Sequence, residues 1–386
     1  MNDRTADAVL SEAVQSEDLG CVVAMAARSQ EVVYSGAYGQ MNTDCQVGLD
    51  SIFRIASMTK PITSVAVMQL VEEGLIDLDE SACQYLPKLK DVKVIDGISS
   101  DSAQLQLKEQ EQPITVRQLL NHTAGFGYPF TDPLLAEAYE KGLIPEAAAD
   151  DPPYSSMPLS HQPGAAWSYG TSTSWLGWLV ETVRSQSLDR VFSEYIFEPL
   201  GMCDTQFHVE DDKIDRLVRP RRRKDDGSLE WVKQTVDKPS FYIGGGGLYS
   251  TATDYIRFLA AFLRRGAYEG GSILSPSTVK LMSTGHTGDM QVGRWQSKSP
   301  GACLDIDLYP GGHNGFGLGF FIHGAPVEGG RSSGSLFWAG IQNTFFWIDH
   351  TRDVCGVFMS QSLPLGDPRV FKAFADFETA VYRHHV

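Results

Sequence analysis

Positive charge is scarce in this sequence of 386 residues. It contains 32 lysine and arginine side chains against 48 aspartate and glutamate side chains, which leaves a formal net charge of −16. This balance repels polyanions, so we expect neither a nucleic acid nor an anionic membrane as a partner. A run of about 18 apolar residues, which a membrane-spanning helix needs, is also missing. The sequence starts without a basic stretch followed by an apolar one, so no signal peptide is visible and a cytoplasmic location is expected.

Motifs for metal and phosphate binding are absent as well. The six cysteines are scattered and include no Cys-x-x-Cys pair, so free and mostly buried thiols are expected rather than a disulfide framework. The nine histidines include no His-Glu-x-x-His motif, and the glycine run 244–247 lacks the following Gly-Lys-Ser/Thr of a phosphate loop. We therefore predict no metal site and no organic cofactor.

The chain does have the composition of a globular protein, with 42% apolar and 21% charged residues. Short apolar runs between turn residues predict strands over residues 21–26, 31–36, 317–322, 340–348 and 354–359. Longer apolar segments predict helices over residues 62–73, 173–183, 188–195, 251–264 and 369–382. The basic run 219–224 adjoins two aspartates and is interpreted as a solvated loop.

Strands at both ends of the chain and helices in its middle indicate an α/β fold with an insertion. Residues 1–80 are predicted to form the first part of an α/β domain, and residues 236–386 its second part. Residues 81–235, which carry proline-rich loops, are predicted to form a mostly helical second domain. A small-molecule site is expected in the cleft between the two domains.

Ser57 and Lys60 form a Ser-x-x-Lys sequence, the spacing found in one class of nucleophilic serine enzymes. A second copy at Ser277 shows that chance also produces this pattern, but Ser277 only begins an ordinary helix. Ser57 instead begins a long apolar helix that ends at Gly74, with Pro61 in its first turn. Helical spacing then puts the lysine beside the serine, and burial would lower the pKa of the lysine toward that of a useful base.

Tyr169 lies in a glycine- and proline-rich approach to the helix predicted over 173–183. A tyrosine is a poor base at its ordinary pKa of about 10, but a neighbouring lysine ammonium favours its phenolate. Lys60 and Tyr169 together could then carry the serine proton. The alternative is a half-buried tyrosine that caps the helical region.

Trp338, Gly340 and Ile341 lie in a late apolar stretch that is predicted as a strand. Gly340 would let a substrate carbonyl approach the backbone. The N–H of Ile341 could then join that of Ser57 in an oxyanion hole. The alternative is that Trp338 is a core tryptophan.

The order of these motifs resembles that of the class C β-lactamases, with Tyr-Gly-Thr in second place and Trp-Ala-Gly in third. The third motif is most similar to that of the family VIII carboxylesterases. Stretches similar to the same superfamily run along the chain at residues 53–56 (FRIA), 119–125 (LLNHTAG), 199–202 (PLGM), 245–251 (GGGLYST) and 316–320 (FGLGF).

This resemblance implies a β-lactamase-like fold, in which an antiparallel sheet is flanked by helices beside a mostly helical second domain. It also implies that Ser57 is the nucleophile, that Lys60 and Tyr169 are its base system, and that no metal is needed. The N–H groups of Ser57 and Ile341 would bind the oxyanion.

Two departures from the β-lactamase pattern concern substrate choice. Thr171 stands where the lactamases carry asparagine, and Trp338 stands where they carry a lysine that attracts the carboxylate of penicillins or peptide ends. Neutral esters lose nothing by the second change. We therefore predict a carboxylesterase for short- to medium-chain esters. The alternatives are an acyltransferase of the same fold, a weak β-lactamase or D-amino-acid peptidase, and a non-catalytic ligand-binding protein.

Aromatic side chains near these motifs are candidates for the substrate pocket, namely Phe126, Tyr128, Phe130 and Trp338, together with Gly340. A rival nucleophile is Ser168, in an Ala-x-Ser-x-Gly variant of the nucleophile elbow. That elbow needs a strand directly before it, and the prolines of residues 158–164 exclude a central strand there.

Overall fold

A seven-stranded antiparallel sheet forms the centre of the structure. The computed structural model of the protein describes residues 4–29, 31–99 and 104–386. Its helices are α1 (Ala6–Gln15), α2 (Thr59–Glu72), α3 (Val116–Leu120), α4 (Pro133–Glu140), α5 (Ser172–Arg184), α6 (Leu188–Phe192), α7 (Glu198–Leu200), α8 (Ala252–Leu263), α9 (Pro276–Met282) and α10 (Pro368–His384). The early strands are β1 (Cys21–Arg28), β2 (Glu31–Gly39), β3 (Phe53–Arg54), β4 (Val94–Ile98), β5 (Leu105–Lys108), β6 (Arg221–Arg223), β7 (Leu229–Trp231) and β8 (Tyr249–Ser250). The later strands are β9 (Ala267–Tyr268), β10 (Gly271–Ser272), β11 (Arg294–Trp295), β12 (Ile306–Asp307), β13 (Gly315–Phe316), β14 (Phe321–Ile322), β15 (Leu336–Gly340), β16 (Thr344–Asp349), β17 (Val354–Met359) and β18 (Ser362–Leu363).

The order of the central sheet is β13-β14-β15-β16-β17-β1-β2, so strands from both ends of the chain complete it. β1 pairs with β17 in the register Val23 to Met359. Every residue of β16 and β17 is buried, because helices cover both faces of the sheet. Phe345 and Phe346 point to opposite faces, where Phe345 packs on Phe374 of α10 and Phe346 packs on Tyr255 of α8. The predicted antiparallel sheet flanked by helices is confirmed.

Two of the predicted strands are wrong in the same way, because a turn interrupts each of them. The stretch 317–322 turns at Gly319, whose φ of +100° lies in the left-handed region, and only its end pairs as β14. The stretch 340–348 turns between β15 and β16 at Asn343, with φ +58°. The Asn343 side chain donates hydrogen bonds to the carbonyls of Ser362 and Pro364, at 2.9 and 2.8 Å. Ile341 therefore lies in a turn at the end of the sheet.

The basic run 219–224 is not a solvated loop, because its centre is strand β6. β6 pairs with β7 on one side and with β18 on the other. The guanidinium of Arg221 lies 3.9 Å from the ring centroid of Trp231, and Arg223 donates to Asp367 over 2.8 Å. The contact of Arg221 joins β6 to β7, and the ion pair of Arg223 joins β6 to Asp367. The pattern of charges in the sequence does not show these contacts.

The segment 81–235 contains α3 to α7 and the short pairs β4–β5 and β6–β7. The domain boundaries near residues 80 and 235 stay a prediction. Within the described ranges, no helix is both long enough and apolar enough to cross a membrane. All six cysteines are free thiols; Cys21, Cys303 and Cys355 are buried, whereas Cys45 and Cys203 are exposed.

Candidate active site

Ser57 lies in a single 3-10 turn, Ala56–Met58, directly before α2. The helix therefore begins after the serine and not at it. Ala56 has a φ of +46°, a left-handed value that residues with a side chain seldom adopt and that often marks a functional site. Thr59 fixes the turn, because its hydroxyl donates to the Ala56 carbonyl over 2.7 Å and accepts from the Leu248 N–H over 3.2 Å.

Lys60, in the first turn of α2, is 1% exposed and lies beside Ser57. Its Nζ is 3.1 Å from the Ser57 Oγ, 2.7 Å from the Gly245 carbonyl oxygen and 3.2 Å from the Tyr128 hydroxyl. Among the described residues, no carboxylate forms an ion pair with it. Burial lowers the pKa of Lys60 to about 7, so its amine can accept a proton near neutral pH.

Tyr169 donates a hydrogen bond of 2.6 Å from its hydroxyl to the Ser57 Oγ. Burial raises the pKa of Tyr169 above its ordinary value, and the hydrogen bond to Ser57 offsets part of that rise. The expectation that a lysine ammonium favours the phenolate is therefore wrong. Nζ of Lys60 lies over the Tyr169 ring, 4.7 Å from its centroid, and burial disfavours the ammonium itself. Burial thus favours the neutral phenol of Tyr169, which cannot accept the serine proton, and leaves the neutral amine of Lys60 as the group that can.

Gly340 has a different role from the one predicted for it. A Cβ on Gly340 would lie 2.4 Å from the Ile55 carbonyl oxygen and 2.3 Å from the Thr344 Oγ1. The glycine lets the end of β15 pack against the turn that carries Ser57, and it does not line the cavity described below. Ser57 and Ile341 both line that cavity, but their role as oxyanion donors stays a prediction.

A cavity of about 460 Å³ opens beside Ser57. Most of its walls are apolar or aromatic, formed among others by Phe130, Trp295, Ile306, Leu308, Trp338 and Phe371. Three of the predicted pocket residues line this cavity, namely Tyr128, Phe130 and Trp338. Phe126 does not: it is fully buried and stacks on Trp175 with the ring centroids 5.4 Å apart.

Arg54 is a cavity residue that the sequence reasoning missed. It is the one charged side chain among the described residues of the cavity wall, and it is exposed. The signal was present in the sequence, because Arg54 stands three residues before Ser57. Its strand, β3, pairs with β8, and the side chain lies in the cavity wall.

A model of the Beta-lactamase family matches residues 6–381 of the chain. The chain belongs to the β-lactamase family. The resemblance drawn from the motifs and the predicted β-lactamase-like α/β fold are thereby confirmed. The protein is an enzyme of the serine hydrolase and acyltransferase group within this family.

Proteins similar to this chain include both transferases and an esterase. Monacolin J acid methylbutanoyltransferase of Aspergillus terreus is 31% identical, and the alignment covers 87% of this chain and 83% of that protein. Lovastatin esterase of Penicillium rubens is 30% identical, with 87% of this chain and 86% of the esterase covered. A solved structure of simvastatin synthase from Aspergillus terreus superposes with a TM-score of 0.86 at 28% identity and covers 98% of each chain.

The two departures from the β-lactamase pattern both lie on the cavity wall. Thr171 Oγ1 is buried and has no hydrogen-bond partner among the described residues. Trp338 is 3% exposed, and its ring meets the Tyr169 ring edge-on, with the centroids 4.9 Å apart. The rings of Tyr128, Trp295 and His122 also surround Tyr169, at 5.2, 5.6 and 5.4 Å. The tryptophan therefore helps to fix the orientation of Tyr169 as well as forming an apolar wall.

Ser168, the rival nucleophile, also has a potential base. Its Oγ lies 2.9 Å from Nε2 of His161. Nδ1 of His161, however, faces the carbonyl of Gln162 at 2.9 Å, and no carboxylate in the described part of the chain orients the ring as in a Ser-His-Asp triad. Ser168 is not among the described residues that line the cavity.

Proposed function

We propose that the protein is an acyltransferase that moves a short acyl group from an ester or thioester donor to the hydroxyl of a small, largely apolar acceptor. The observation that carries this proposal is that Ser57, between Lys60 and Tyr169, faces a large apolar cavity. The similarity to monacolin J acid methylbutanoyltransferase and to simvastatin synthase favours this activity over the carboxylesterase that we expected first.

The first half of the reaction would form an acyl-enzyme on Ser57. The Oγ–H proton passes to the neutral amine of Lys60, while Oγ bonds to the acyl carbon of the donor. As the tetrahedral intermediate collapses, the bond from the acyl carbon to the donor oxygen or sulfur breaks. Tyr169 and the Lys60 ammonium return one proton to the leaving group. The N–H groups of Ser57 and Ile341 stabilise the oxyanion.

The second half repeats these steps with a new nucleophile. The acceptor hydroxyl gives its proton to Lys60, its oxygen bonds to the acyl carbon, and Ser57 Oγ leaves and regains a proton. Water would complete the same step as hydrolysis, so the choice between transfer and hydrolysis depends on what occupies the cavity. Walls such as Trp295, Leu308 and Trp338 favour an apolar alcohol over water.

Arg54 supports an acceptor that carries a carboxylate as well as a hydroxyl. Its guanidinium is the one charged group among the described cavity residues, and a guanidinium binds a carboxylate through two parallel hydrogen bonds. The name of the transferase of Aspergillus terreus contains monacolin J acid, and an acid carries a carboxylate at neutral pH.

Acyl transfer is tested by incubating the protein with p-nitrophenyl butyrate, with and without monacolin J acid. Release of p-nitrophenol reports acylation, and mass spectrometry reports the butanoyl ester and butyric acid. We expect the ester to form faster than the acid when the alcohol is present, and neither product with Ser57→Ala.

A carboxylesterase is the second candidate, favoured by the similarity to lovastatin esterase. Formation of butyric acid alone, at a rate that saturating alcohol does not change, would establish hydrolysis as the activity and reject the transferase.

A further inference from the structure

The arrangement of the hydrogen bonds of Lys60 Nζ depends on whether the side chain is an ammonium or a neutral amine. Among the described residues, Nζ has three partners: the Gly245 carbonyl at 2.7 Å, the Ser57 Oγ at 3.1 Å and the Tyr128 hydroxyl at 3.2 Å. An ammonium has three N–H donors and satisfies all three partners. A neutral amine has two N–H donors and one lone pair, so one of its three directions must change from donating to accepting.

The Gly245 carbonyl can only accept, so it takes one N–H in both protonation states of Lys60. The second N–H and the lone pair are then divided between Ser57 and Tyr128. Lys60 can act as the base of Ser57 only in the arrangement that directs the lone pair at the Ser57 hydroxyl. In that arrangement the second N–H is donated to the oxygen of Tyr128.

We propose that Tyr128 is a positioning residue, whose hydroxyl oxygen accepts the second N–H of Lys60 and so directs the amine lone pair at Ser57. This inference rests on the proposed function, in which Lys60 takes the serine proton. Thr171 does not supply such an acceptor, because its Oγ1 has no partner among the described residues.

The surroundings hold Tyr128 in place and neutral. Its ring stacks on Phe130, with the centroids 5.0 Å apart and the planes at 19°, and meets the Tyr169 ring edge-on at 5.2 Å. Burial raises the pKa of Tyr128 well above its ordinary value. Within the described ranges, the other titratable side chains that face Lys60 are Tyr169 and His122. Burial also favours their neutral forms, because it raises the pKa of Tyr169 and lowers that of His122.

Tyr128→Phe tests the inference because it removes the acceptor oxygen and keeps the ring. We expect kcat for p-nitrophenyl butyrate to fall roughly tenfold to a hundredfold, since the base is no longer oriented, while KM changes little. The ascending limb of the pH profile should move to lower pH by about one unit. The lost hydrogen bond stabilises the ammonium form of Lys60 more than the neutral amine, so its removal lowers the pKa of Lys60.

Tyr154→Phe is the matched control. Tyr154 is a buried tyrosine in the same cavity wall, but its hydroxyl donates to the Ser174 carbonyl over 2.9 Å and does not contact Lys60. In this variant, the ascending limb of the pH profile should lie at the same pH as in the wild-type protein. Equal melting temperatures of the two variants would show that both are folded.

An unchanged kcat in Tyr128→Phe, a limb that stays or moves up, or an effect on KM alone would each reject the positioning role. Failure of the proposed function looks different. In that case the wild-type protein releases no p-nitrophenol that depends on Ser57, or it forms only acid in the presence of alcohol.

Discussion

At the scale of single residues, the chemistry depends on which serine has both a base and access to a substrate. Ser57 has Lys60 at 3.1 Å, Tyr169 at 2.6 Å and a cavity in front of it. Ser168 has a histidine at 2.9 Å but does not line the cavity. A serine next to a base is therefore insufficient evidence for a nucleophile, and access to the substrate decides between the two.

Ser57→Ala should lower p-nitrophenyl butyrate hydrolysis at least about a thousandfold and leave the fold intact, because only the nucleophilic oxygen is removed. Ser168→Ala is the matched control and should retain acylation, since its hydroxyl bonds His161 outside the cavity. Rates of p-nitrophenol release and circular dichroism spectra of both variants check this. The reverse result, with Ser168→Ala inactive and Ser57→Ala active, would move the nucleophile to Ser168.

The protonation state of Lys60 should determine how acylation depends on pH. Its pKa is lowered to about 7 by burial, and only the neutral amine can accept the serine proton. Below that pH the ammonium predominates and kcat/KM falls; above it the rate reaches a plateau. Measuring kcat/KM for p-nitrophenyl butyrate from about pH 5 to pH 9 should give one ascending limb near the Lys60 pKa.

Lys60→Arg should remove that limb together with most of the activity, because a guanidinium stays protonated throughout this range. A wild-type profile that is flat through neutral pH would mean that Lys60 does not titrate in this reaction.

The sequence could predict Ser57, Lys60 and Tyr169 as a group, because the first two are three residues apart at the start of a predicted helix and the motifs occur in a known order. It could not predict that Tyr128 contacts Lys60, since that contact spans 68 residues. Neither could it predict the state of Tyr169. That state depends on how deeply the phenol and the amine are buried, which is a property of the assembled core and not of a motif.

At the scale of elements, the site depends on the close approach of two turns. The Ala56–Met58 turn precedes α2, and the other turn joins β15 to β16. They meet where Gly340 packs against the Ile55 carbonyl. The approach brings Ser57 and Ile341 to the same cavity wall.

Gly340→Ala should damage both stability and activity. The added Cβ would lie 2.4 Å from the Ile55 carbonyl oxygen, so β15 or the nucleophile turn must move. Overpacking of this kind lowers the free energy of unfolding by about 1–3 kcal/mol. If Ser57 and Ile341 are the oxyanion donors, as proposed, their misplacement should lower kcat/KM roughly a hundredfold. Urea unfolding and steady-state kinetics measure the two effects.

Gly285→Ala is the control for the Gly340 substitution, because a Cβ there would meet no atom within 4 Å. It should change neither quantity beyond about 0.5 kcal/mol of unfolding free energy. If Gly340→Ala behaves like this control, the two turns do not depend on their close approach.

Element prediction succeeded where the local pattern and the packing agree. The strand predicted over 354–359 has the bounds of β17, and each of its residues is buried. It failed over 340–348, where Ile341 continues the apolar run but the backbone turns at Asn343. The Asn343 side chain bonds the carbonyls of Ser362 in β18 and of Pro364 just after it. Such a turn is set by tertiary contacts, so apolar runs in the sequence do not show it.

At the scale of the whole molecule, two electrostatic effects oppose each other at the site. The protein carries a net charge of −16, which repels anions over a distance set by the ionic strength. Arg54 attracts them locally at the wall of the cavity. The Debye length is about 30 Å at 0.01 M salt and about 8 Å at 0.15 M, so added salt weakens the long-range repulsion well before it weakens a direct contact with Arg54.

This difference predicts opposite salt responses for a matched pair of substrates. For the mono-p-nitrophenyl ester of adipic acid, which carries a carboxylate, kcat/KM should rise as the salt concentration goes from about 0.01 M to about 0.15 M. For neutral p-nitrophenyl hexanoate it should stay constant, because no charge is screened. Arg54→Gln should lower kcat/KM for the adipate ester at each salt concentration and leave the hexanoate ester unaffected. If kcat/KM for the adipate ester instead falls as salt is added, the attraction of the carboxylate by Arg54 outweighs its repulsion by the net charge of the protein. The acidic surface then has no part in substrate selection.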